Sequence, residues 1–196
     1  AMPHVKKAEL IEGIVYIAPP VRHRRHGQPH AAIAGWLLNY QIATPGVDLG
    51  LETTVLLDLD NEPQPDALLR IENGGNSQIN EDDYIEGAPE LIAEIAASSA
   101  SYDLNDKKKA YRRNGVQEYI VWQIRKNSLY WFRLEQGKYV SLKPDENGVI
   151  RSQVFPGLWL AVPALLSGDL ATVMAVLQEG INSAEHGEFV NQLSQK

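Results

Sequence analysis

The chain has 196 residues, a formal net charge of −7 and no cysteine, and 44% of its residues are hydrophobic. This size and composition suit a single domain over residues 1–196, without disulfides or thiolate metal sites. The sequence has no apolar run that could cross a membrane and no export leader, so we expect a cytoplasmic protein without a membrane partner. The acidic charge, taken by itself, argues against nucleic acid as a partner.

The charge is distributed unevenly along the chain. Residues 58–90 carry ten acids and one base, whereas residues 103–114 carry five bases and two acids. The segment 21–26 adds three arginines and two histidines. A polyanion can therefore meet local basic surfaces on an acidic protein. A solvated helix face and a polar loop would explain the two basic segments equally well.

The first predicted elements lie between residues 9 and 58. A turn and strand over 9–18 precede the basic segment, which we expect to be a loop. Pro29 suits the first turn of a helix, and the buried face of this helix is predicted at Ile33, Trp36, Leu37 and Tyr40. Residues 47–58 predict one continuous strand that contains an acid, Glu52.

The centre of the chain predicts two more strands and a helix. Residues 66–71 form the second strand, and residues 72–87, rich in Gly, Asn, Asp and Glu, predict a loop. Residues 90–96 form the third strand, in which Leu91, Ala93 and Ile95 face one way and Glu94 the other. An acid in this apolar run is costly unless something binds it.

The helix predicted from about Asp103, capped by Asp103 or Ser101, ends at Asn114-Gly115. Leu104, Ala110 and Tyr111 mark its apolar side. A rotation of about 100° per residue places Lys107 among them, Lys108 at the edge and Lys109 behind. Lys107 is therefore predicted to face inward, toward Glu94.

The remaining elements are mostly β-structure. Residues 117–124 predict a strand buried on both faces, after a right-handed crossover from the third strand. A hairpin over 128–142 and more strand over 149–160 follow. A last helix, capped at Gly168-Asp169 and ending near Ile181, has predicted inward residues Leu170, Val173, Met174 and Leu177. We expect the polar tail, 182–196, to be loose.

These elements predict an α/β (α+β) fold. A mixed β-sheet is flanked by helices in the order helix–three strands–helix–strand, with an added β-hairpin and a C-terminal helix at about 169–181. The core covers about residues 10–160.

Asp66, Glu94 and Lys107 are the candidate catalytic residues. Two carboxylates suit Mg²⁺, which polarises phosphoryl oxygens and activates water, and a lysine could orient that water or balance charge at phosphorus. Glu52 could supply another carboxylate. Each residue also has a structural interpretation: Glu94 and Lys107 as a buried ion pair, Asp66 as a turn cap, and His30 and Tyr111 as hydrogen-bonding groups of the core.

The residues around these positions resemble one bacterial family. The shared pattern comprises Pro65-Asp66, Pro89 to Ile95, the spaced residues Asp103, Lys107, Tyr111, Gly115-Val116 and Glu118-Tyr119, and His26-Gly27-x-Pro29-His30. It is similar to the Uma-type restriction endonucleases, long regarded as a domain of unknown function, in the PD-(D/E)XK nuclease superfamily. The likeness covers about residues 10–160, and the superfamily core has the predicted order of elements.

The resemblance implies a restriction-endonuclease-like fold and metal-dependent hydrolysis of phosphodiester bonds. Asp66 matches the aspartate of the PD motif and Glu94 the acid of the (D/E)XK motif, while Ile95 matches the position whose backbone carbonyl binds metal. The sequence departs from the motif at Ala96, where a lysine is expected. The family's lysine lies on the following helix, at Lys107, the residue that helical spacing selects independently. A second departure, Ala97-Ser98 in place of Ser-Pro, concerns only the turn.

The predicted function is an Mg²⁺-dependent endonuclease that hydrolyses DNA, with Mn²⁺ as a substitute metal. The accessory candidates are Glu52, His30 and Tyr111, and the substrate-binding candidates are Arg24, Arg25 and Lys108. A nucleic-acid- or protein-binding module with weak or no catalysis is the main alternative, which the acidic charge favours. A hydrolase of RNA or a nucleotide is the lesser one. The aromatic hairpin at 128–142 is a candidate contact for a homodimer.

Overall fold

The computed structural model of the protein describes residues 8–17, 20–96 and 103–195. Its strands are β1 (Ala8–Ile11), β2 (Ile14–Ile17), β3 (Val47–Leu51), β4 (Val55–Leu56), β5 (Ala67–Ile71), β6 (Ser77–Ile79), β7 (Ile85–Gly87), β8 (Leu91–Ala96), β9 (Glu118–Gln123), β10 (Ser128–Glu135), β11 (Lys138–Ser141), β12 (Val149–Arg151) and β13 (Trp159–Ala161). Its helices are α1 (Gln28–Ala43), α2 (Lys108–Asn114), α3 (Val162–Ser167), α4 (Leu170–Ile181) and α5 (Ala184–Leu193). π-Helical turns at His23–Gly27 and Asp103–Lys107 lead into α1 and α2.

The central sheet has six strands in the order β11-β10-β9-β8-β5-β3. β8 and β9 are parallel, whereas the other pairs are antiparallel. Every residue of β8 and β9 is buried, as expected for the middle of a sheet that is covered on both faces. The predicted mixed sheet and its helix–three strands–helix–strand order are therefore confirmed.

Side-chain alternation along β8 divides the core into two layers. Leu91, Ala93 and Ile95 pack in the layer that contains the buried face of α1. Ile92 and Ala96, on the other face, pack in the layer that contains Tyr111 of α2. Glu94 shares the α2 side because its side chain alternates with those of its neighbours. The predicted orientation of the strand is correct.

Both predicted helices around the sheet are present. The buried side chains of α1 include the four predicted ones, Ile33, Trp36, Leu37 and Tyr40. α2 ends at Gly115, which takes the left-handed conformation with φ 88°. Ser101 and the turn at Ala97-Ser98 lie outside the described residues.

Three local predictions between residues 21 and 87 were wrong. The basic segment is not wholly a loop, since His23–Gly27 forms a π-helical turn. The strand predicted over 47–58 is two strands in different sheets, because the chain turns at Glu52, where φ is 52°. The predicted loop over 72–87 contains β6 and β7, which pair with each other, and β7 also pairs with β4 in a small sheet.

The C-terminal region also differs from its prediction. α4 begins after the predicted cap Asp169, whose side chain accepts a hydrogen bond from the Thr172 N–H. Leu170, however, is 45% exposed and does not face inward. The tail is not loose, because Ser183 caps α5 and His186 is buried against α1, with its Nε2 2.9 Å from Thr44 Oγ1.

The remaining C-terminal structure adds α3, which was not predicted, and the β12–β13 pair, which covers the predicted strand region at 149–160 and ends one residue beyond it. In the 128–142 hairpin, the aromatic side chains of Trp131 and Phe132 are buried within the chain. Tyr130 and Tyr139 of the same hairpin are partly exposed, so the dimer contact stays a prediction. No helix within the described ranges combines the length and apolarity needed to cross a membrane.

Candidate active site

Asp66 directly precedes β5, and Glu94 lies on the adjacent strand β8. In the β5–β8 ladder, Ala67 is paired with Ala93, so the register continued by one residue places Asp66 opposite Glu94. Directly opposed residues have Cβ atoms about 5 Å apart and side chains on the same face. Both carboxylates are buried, with exposed fractions of 2% for Asp66 and 3% for Glu94. The first two predicted site residues therefore come together.

The carboxylate of Asp66 is fixed from both sides. Its Oδ2 accepts the backbone N–H of Ile95 at 2.7 Å, and its Oδ1 lies 3.1 Å from His26 Nε2. His30 Nε2 contacts the backbone carbonyl of Asp66 at 2.7 Å. His30 thus holds the backbone of Asp66, whereas His26 holds its carboxylate and was not singled out from the sequence. Its place in the segment His26-Gly27-x-Pro29-His30 was the available signal.

Lys107 points toward Glu94, as helical spacing predicts. Its ammonium group lies 2.9 Å from Glu94 Oε1 and 2.7 Å from Glu9 Oε1, and the residue is only 2% exposed. The turn Asp103–Lys107 and the helix α2 carry the lysine to the sheet face on which Glu94 lies. The lysine is therefore held by carboxylates from two separate strands.

Tyr111, one helical turn after Lys107, donates its hydroxyl hydrogen to Glu94 Oε1 at 2.8 Å. Burial, and next the neighbouring Glu94 carboxylate, raise the pKa of Tyr111 well above its usual value. The phenol therefore stays protonated and remains a hydrogen-bond donor. It fixes the Glu94 carboxylate from the helix, as Ile95 fixes that of Asp66 from the strand.

Glu9 is a site residue that the sequence reasoning missed. It comes from β1, and its Oε1 accepts hydrogen bonds from Lys107 Nζ and from the Gln64 N–H at 2.8 Å. Glu9 shares the inward face of β1 with the fully buried Ile11. An acid at an inward strand position is the same signal that drew attention to Glu94, and it was available for Glu9.

Two other buried acids have structural partners instead. Glu90 accepts backbone N–H groups of Ile71 and Asn76. Glu118 accepts hydrogen bonds from the side chains of Trp131 and Ser152 and from a backbone N–H. Burial raises the pKa of Glu118. Each of these carboxylates ties loops or strands together and lies outside the cluster around Lys107.

The donor chemistry of the cluster fits a hard divalent cation. Glu9 and Glu94 contact Lys107, and Asp66 contacts His26, so three buried carboxylates outnumber the cations beside them in a poorly solvated place. Oxygen ligands are those that Mg²⁺ prefers, and it keeps several of its waters. Within the described part of the chain, no three or more Asp, Glu or His side chains form a complete metal-binding group. A metal here would rely on two carboxylates, a carbonyl and water.

The remaining predicted residues have different surroundings. Glu52 is exposed, and only its backbone N–H reaches Asp66, at the carbonyl oxygen and 3.4 Å away. Arg24 and Arg25 are exposed on the turn that carries His26. The Lys108 ammonium lies 3.3 Å from the centre of the Phe132 ring, over the β10 strand. The structure thus unites Asp66, Glu94, Lys107, Tyr111 and His30, but leaves the predicted substrate-binding residues outside this cluster.

The mixed sheet and the order of its elements match the restriction-endonuclease-like core predicted from the sequence. The family described as "Uma2: Putative restriction endonuclease" matches residues 1–163, and the chain belongs to this family. The predicted family is confirmed.

The fold is similar to the crystal structure of a putative nuclease belonging to DUF820 from Anabaena variabilis ATCC 29413. The TM-score is 0.64 with 15% sequence identity, over 82% of this chain and 89% of that chain. At this identity the likeness supports the fold. No curated protein matches the sequence.

Proposed function

We propose that the protein is a metal-dependent endonuclease that hydrolyses DNA by an activated water. Asp66, Glu94 and the backbone carbonyl of Ile95 would hold Mg²⁺ or Mn²⁺. When bound, the metal would polarise a phosphoryl oxygen, lower the pKa of a water molecule and stabilise the leaving oxygen. The proposal rests above all on the opposed, buried carboxylates of Asp66 and Glu94 beside Lys107.

The chain's own groups have separate tasks in this proposal. The Lys107 ammonium orients the attacking water and balances the negative charge that develops at phosphorus. Tyr111 and the Ile95 N–H hold the carboxylates of Glu94 and Asp66, so that these need not reorganise during the reaction. His26 and His30 fix Asp66 from the α1 side.

Cleavage of supercoiled plasmid in Mg²⁺ or Mn²⁺ tests the proposal. Asp66→Asn, Glu94→Gln and Lys107→Met should each lower the rate at least about a hundredfold, since each removes a charge from the reacting site. Glu179→Gln, which changes an exposed acid on α4, is the matched control and should cleave normally. Circular dichroism establishes that the variants fold. Cleavage that persists in Glu94→Gln or in excess EDTA would refute the proposal. Preferential hydrolysis of RNA would show that DNA is not the substrate.

The second candidate is a binding module that keeps the fold with little or no catalysis. One observation favours it: Lys107 is almost wholly buried and is bound by two carboxylates, as in a structural ion cluster. Isothermal titration with Mg²⁺ and Mn²⁺ separates the candidates. Heat of binding that disappears in Asp66→Asn supports the enzyme. Absence of binding, with an intact Lys107–Glu94 contact in a metal-soaked crystal, supports the module.

A further inference from the structure

A groove with a volume of about 430 Å³ lies between α2 and the β10–β11 hairpin. Four of its lining side chains are cationic, and none is acidic. The four cations are Lys108, Lys109, Arg112 and Lys138. Helical spacing places the first three on a face of α2 that is turned by about 100° or more from Lys107. The groove is therefore separate from the acid cluster, although both use the same helix.

The groove cations are positioned by neutral partners. Lys108 lies over the Phe132 ring, and partial burial there lowers its pKa. Arg112 Nη1 donates to the Gly137 carbonyl at 2.8 Å, at the turn of the hairpin. An aromatic ring and a carbonyl orient these two groups without neutralising their charge. Their placement is thus built into the packing of α2 against the hairpin.

The acids near the groove do little to neutralise it. Lys109 lies 3.8 Å from Asp106, but both side chains are well exposed, and such surface pairs contribute little. Glu135, opposite Lys138 in the hairpin, lies 3.6 Å from Arg133. Arg113, which follows Arg112 on α2, differs from the groove cations in its partners.

Arg113 lies outside the groove and contacts two acids, Glu12 at 3.0 Å and Asp58 at 3.3 Å. The positive charge of Arg113, which faces the β1–β2 hairpin, is thus paired with acids of the same chain. The cations that line the groove keep their charge for an external anion. This contrast distinguishes the groove from an ordinary solvated helix face.

We propose that this groove binds the sugar–phosphate backbone of a nucleic acid strand. Lys108 and Arg112 are one turn apart, about 6 Å along the helix axis, so they can contact successive phosphates. The Tyr139 ring also lines the groove, and cations beside an aromatic ring are typical of nucleic-acid-binding surfaces. An acidic peptide would use the charges but not the ring. On a chain of net charge −7, a local positive groove directs a polyanion to one place.

The inference rests on the proposed function, because that function identifies the polyanion as nucleic acid. It concerns binding and does not require catalysis. Binding is therefore measured in EDTA, by fluorescence anisotropy of a labelled DNA duplex at several NaCl concentrations. The double variant Lys108→Gln/Lys138→Gln should weaken binding at least about tenfold. It should also lower the slope of log affinity against log salt by about 2, one unit for each lost phosphate contact.

Two controls make the result specific. The double variant Lys126→Gln/Lys143→Gln removes two exposed lysines outside the groove and should change affinity by less than about twofold. Lys108→Arg keeps a cation above Phe132 and should bind as the wild type does, which shows that binding depends on the charge at this position. Circular dichroism of Lys108→Gln/Lys138→Gln checks that this variant folds. Equal weakening in both double variants, or competition by polyglutamate as effective as by unlabelled DNA, would overturn the inference.

Cleavage assays on the same variants keep the two proposals distinct. If the groove positions the substrate, Lys108→Gln/Lys138→Gln should raise KM and leave kcat nearly unchanged. If the protein binds DNA through the groove but does not cleave it, the groove proposal is supported and the endonuclease proposal is refuted. If this variant cleaves DNA with an unchanged KM, the endonuclease proposal is supported and the groove proposal is refuted.

Discussion

Lys107 Nζ lies 2.7 Å from Glu9 Oε1, although 98 residues separate the two along the chain. The contact joins the N-terminal β1–β2 hairpin to the helix that carries the proposed catalytic lysine. Both side chains are more than nine-tenths buried, so water does little to screen their attraction. The hairpin is therefore a part of the candidate site.

Glu9→Gln should destabilise the protein by about 2 kcal/mol, because a charge-assisted hydrogen bond of a buried ammonium becomes a neutral one. The amide oxygen can still accept the Gln64 N–H, so the strand stays in place. We also expect slower DNA cleavage, since Lys107 loses one of the groups that orient it. Urea unfolding and the plasmid assay measure the two effects.

Glu12→Gln is the matched control for this change. Glu12 pairs with the half-exposed Arg113, so its loss should cost less than about 1 kcal/mol. A larger loss of stability in Glu12→Gln than in Glu9→Gln would contradict the buried position of Glu9.

Mg²⁺ or Mn²⁺ should raise the thermal unfolding midpoint, because a divalent cation offsets the excess carboxylate charge around Lys107. A metal at a hundred times its Kd stabilises the folded state by about 2.7 kcal/mol. Asp66→Asn removes a charge from the site and should abolish this shift. Asp169→Asn, at an exposed helix cap where asparagine is also favoured, should preserve it. An equal shift in both variants would place the metal elsewhere.

Tyr111→Phe should cost about 1 kcal/mol of stability, because Glu94 loses one hydrogen-bond donor while Lys107 still contacts it. The raised pKa of Tyr111 keeps the phenol protonated in the neutral range. The variant should therefore cleave more slowly with an unaltered pH profile. Tyr84→Phe, at a residue 44% exposed, is the control. A titration lost from the profile in Tyr111→Phe would show that the phenol ionises.

Stability should fall as the pH decreases below the usual pKa of histidine, about 6.5. Burial lowers the pKa of His186, so between the folded-state pKa and about 6.5 the unfolded chain binds more protons than the folded one. The free energy of unfolding must then decrease as pH falls through this window. Urea unfolding at about pH 8 and about pH 5.5 measures the difference.

His186→Gln should make this pH dependence shallower, whereas His23→Gln, at an exposed residue of the π-helical turn, should leave it intact. An unchanged dependence in His186→Gln would assign the titration to another group.

Local periodicity was sufficient for the central features of the fold. Alternation in β8 placed Glu94 on the α2 side, and a 3.6-residue repeat selected Lys107 from three consecutive lysines. The left-handed Gly115 ended the helix where Asn114-Gly115 predicted it. These features depend on neighbours in sequence, which is why a single sequence contains them.

Other features depend on backbone conformations or distant partners that periodicity does not encode. Hydrophobic alternation continues from Leu51 to Val55, so the sequence pattern does not indicate that Glu52 adopts a positive φ and divides the strand. The contact between Glu9 and Lys107 spans most of the chain. The α5 helix was overlooked because its composition is polar, although Ser183, His186 and Leu193 have the cap and the spacing of an amphipathic helix.

The long separation between Glu9 and Lys107 also sets the time at which the site can exist. A ribosome makes the N-terminal strand first, so Glu9 is added to the chain 98 residues before its partner Lys107. Until α2 has been synthesised and has docked, Glu94 and Glu9 lack the ammonium group that both of them contact. A cell that makes a protein of the proposed function would therefore carry no complete catalytic site on a nascent chain that ends before Lys107.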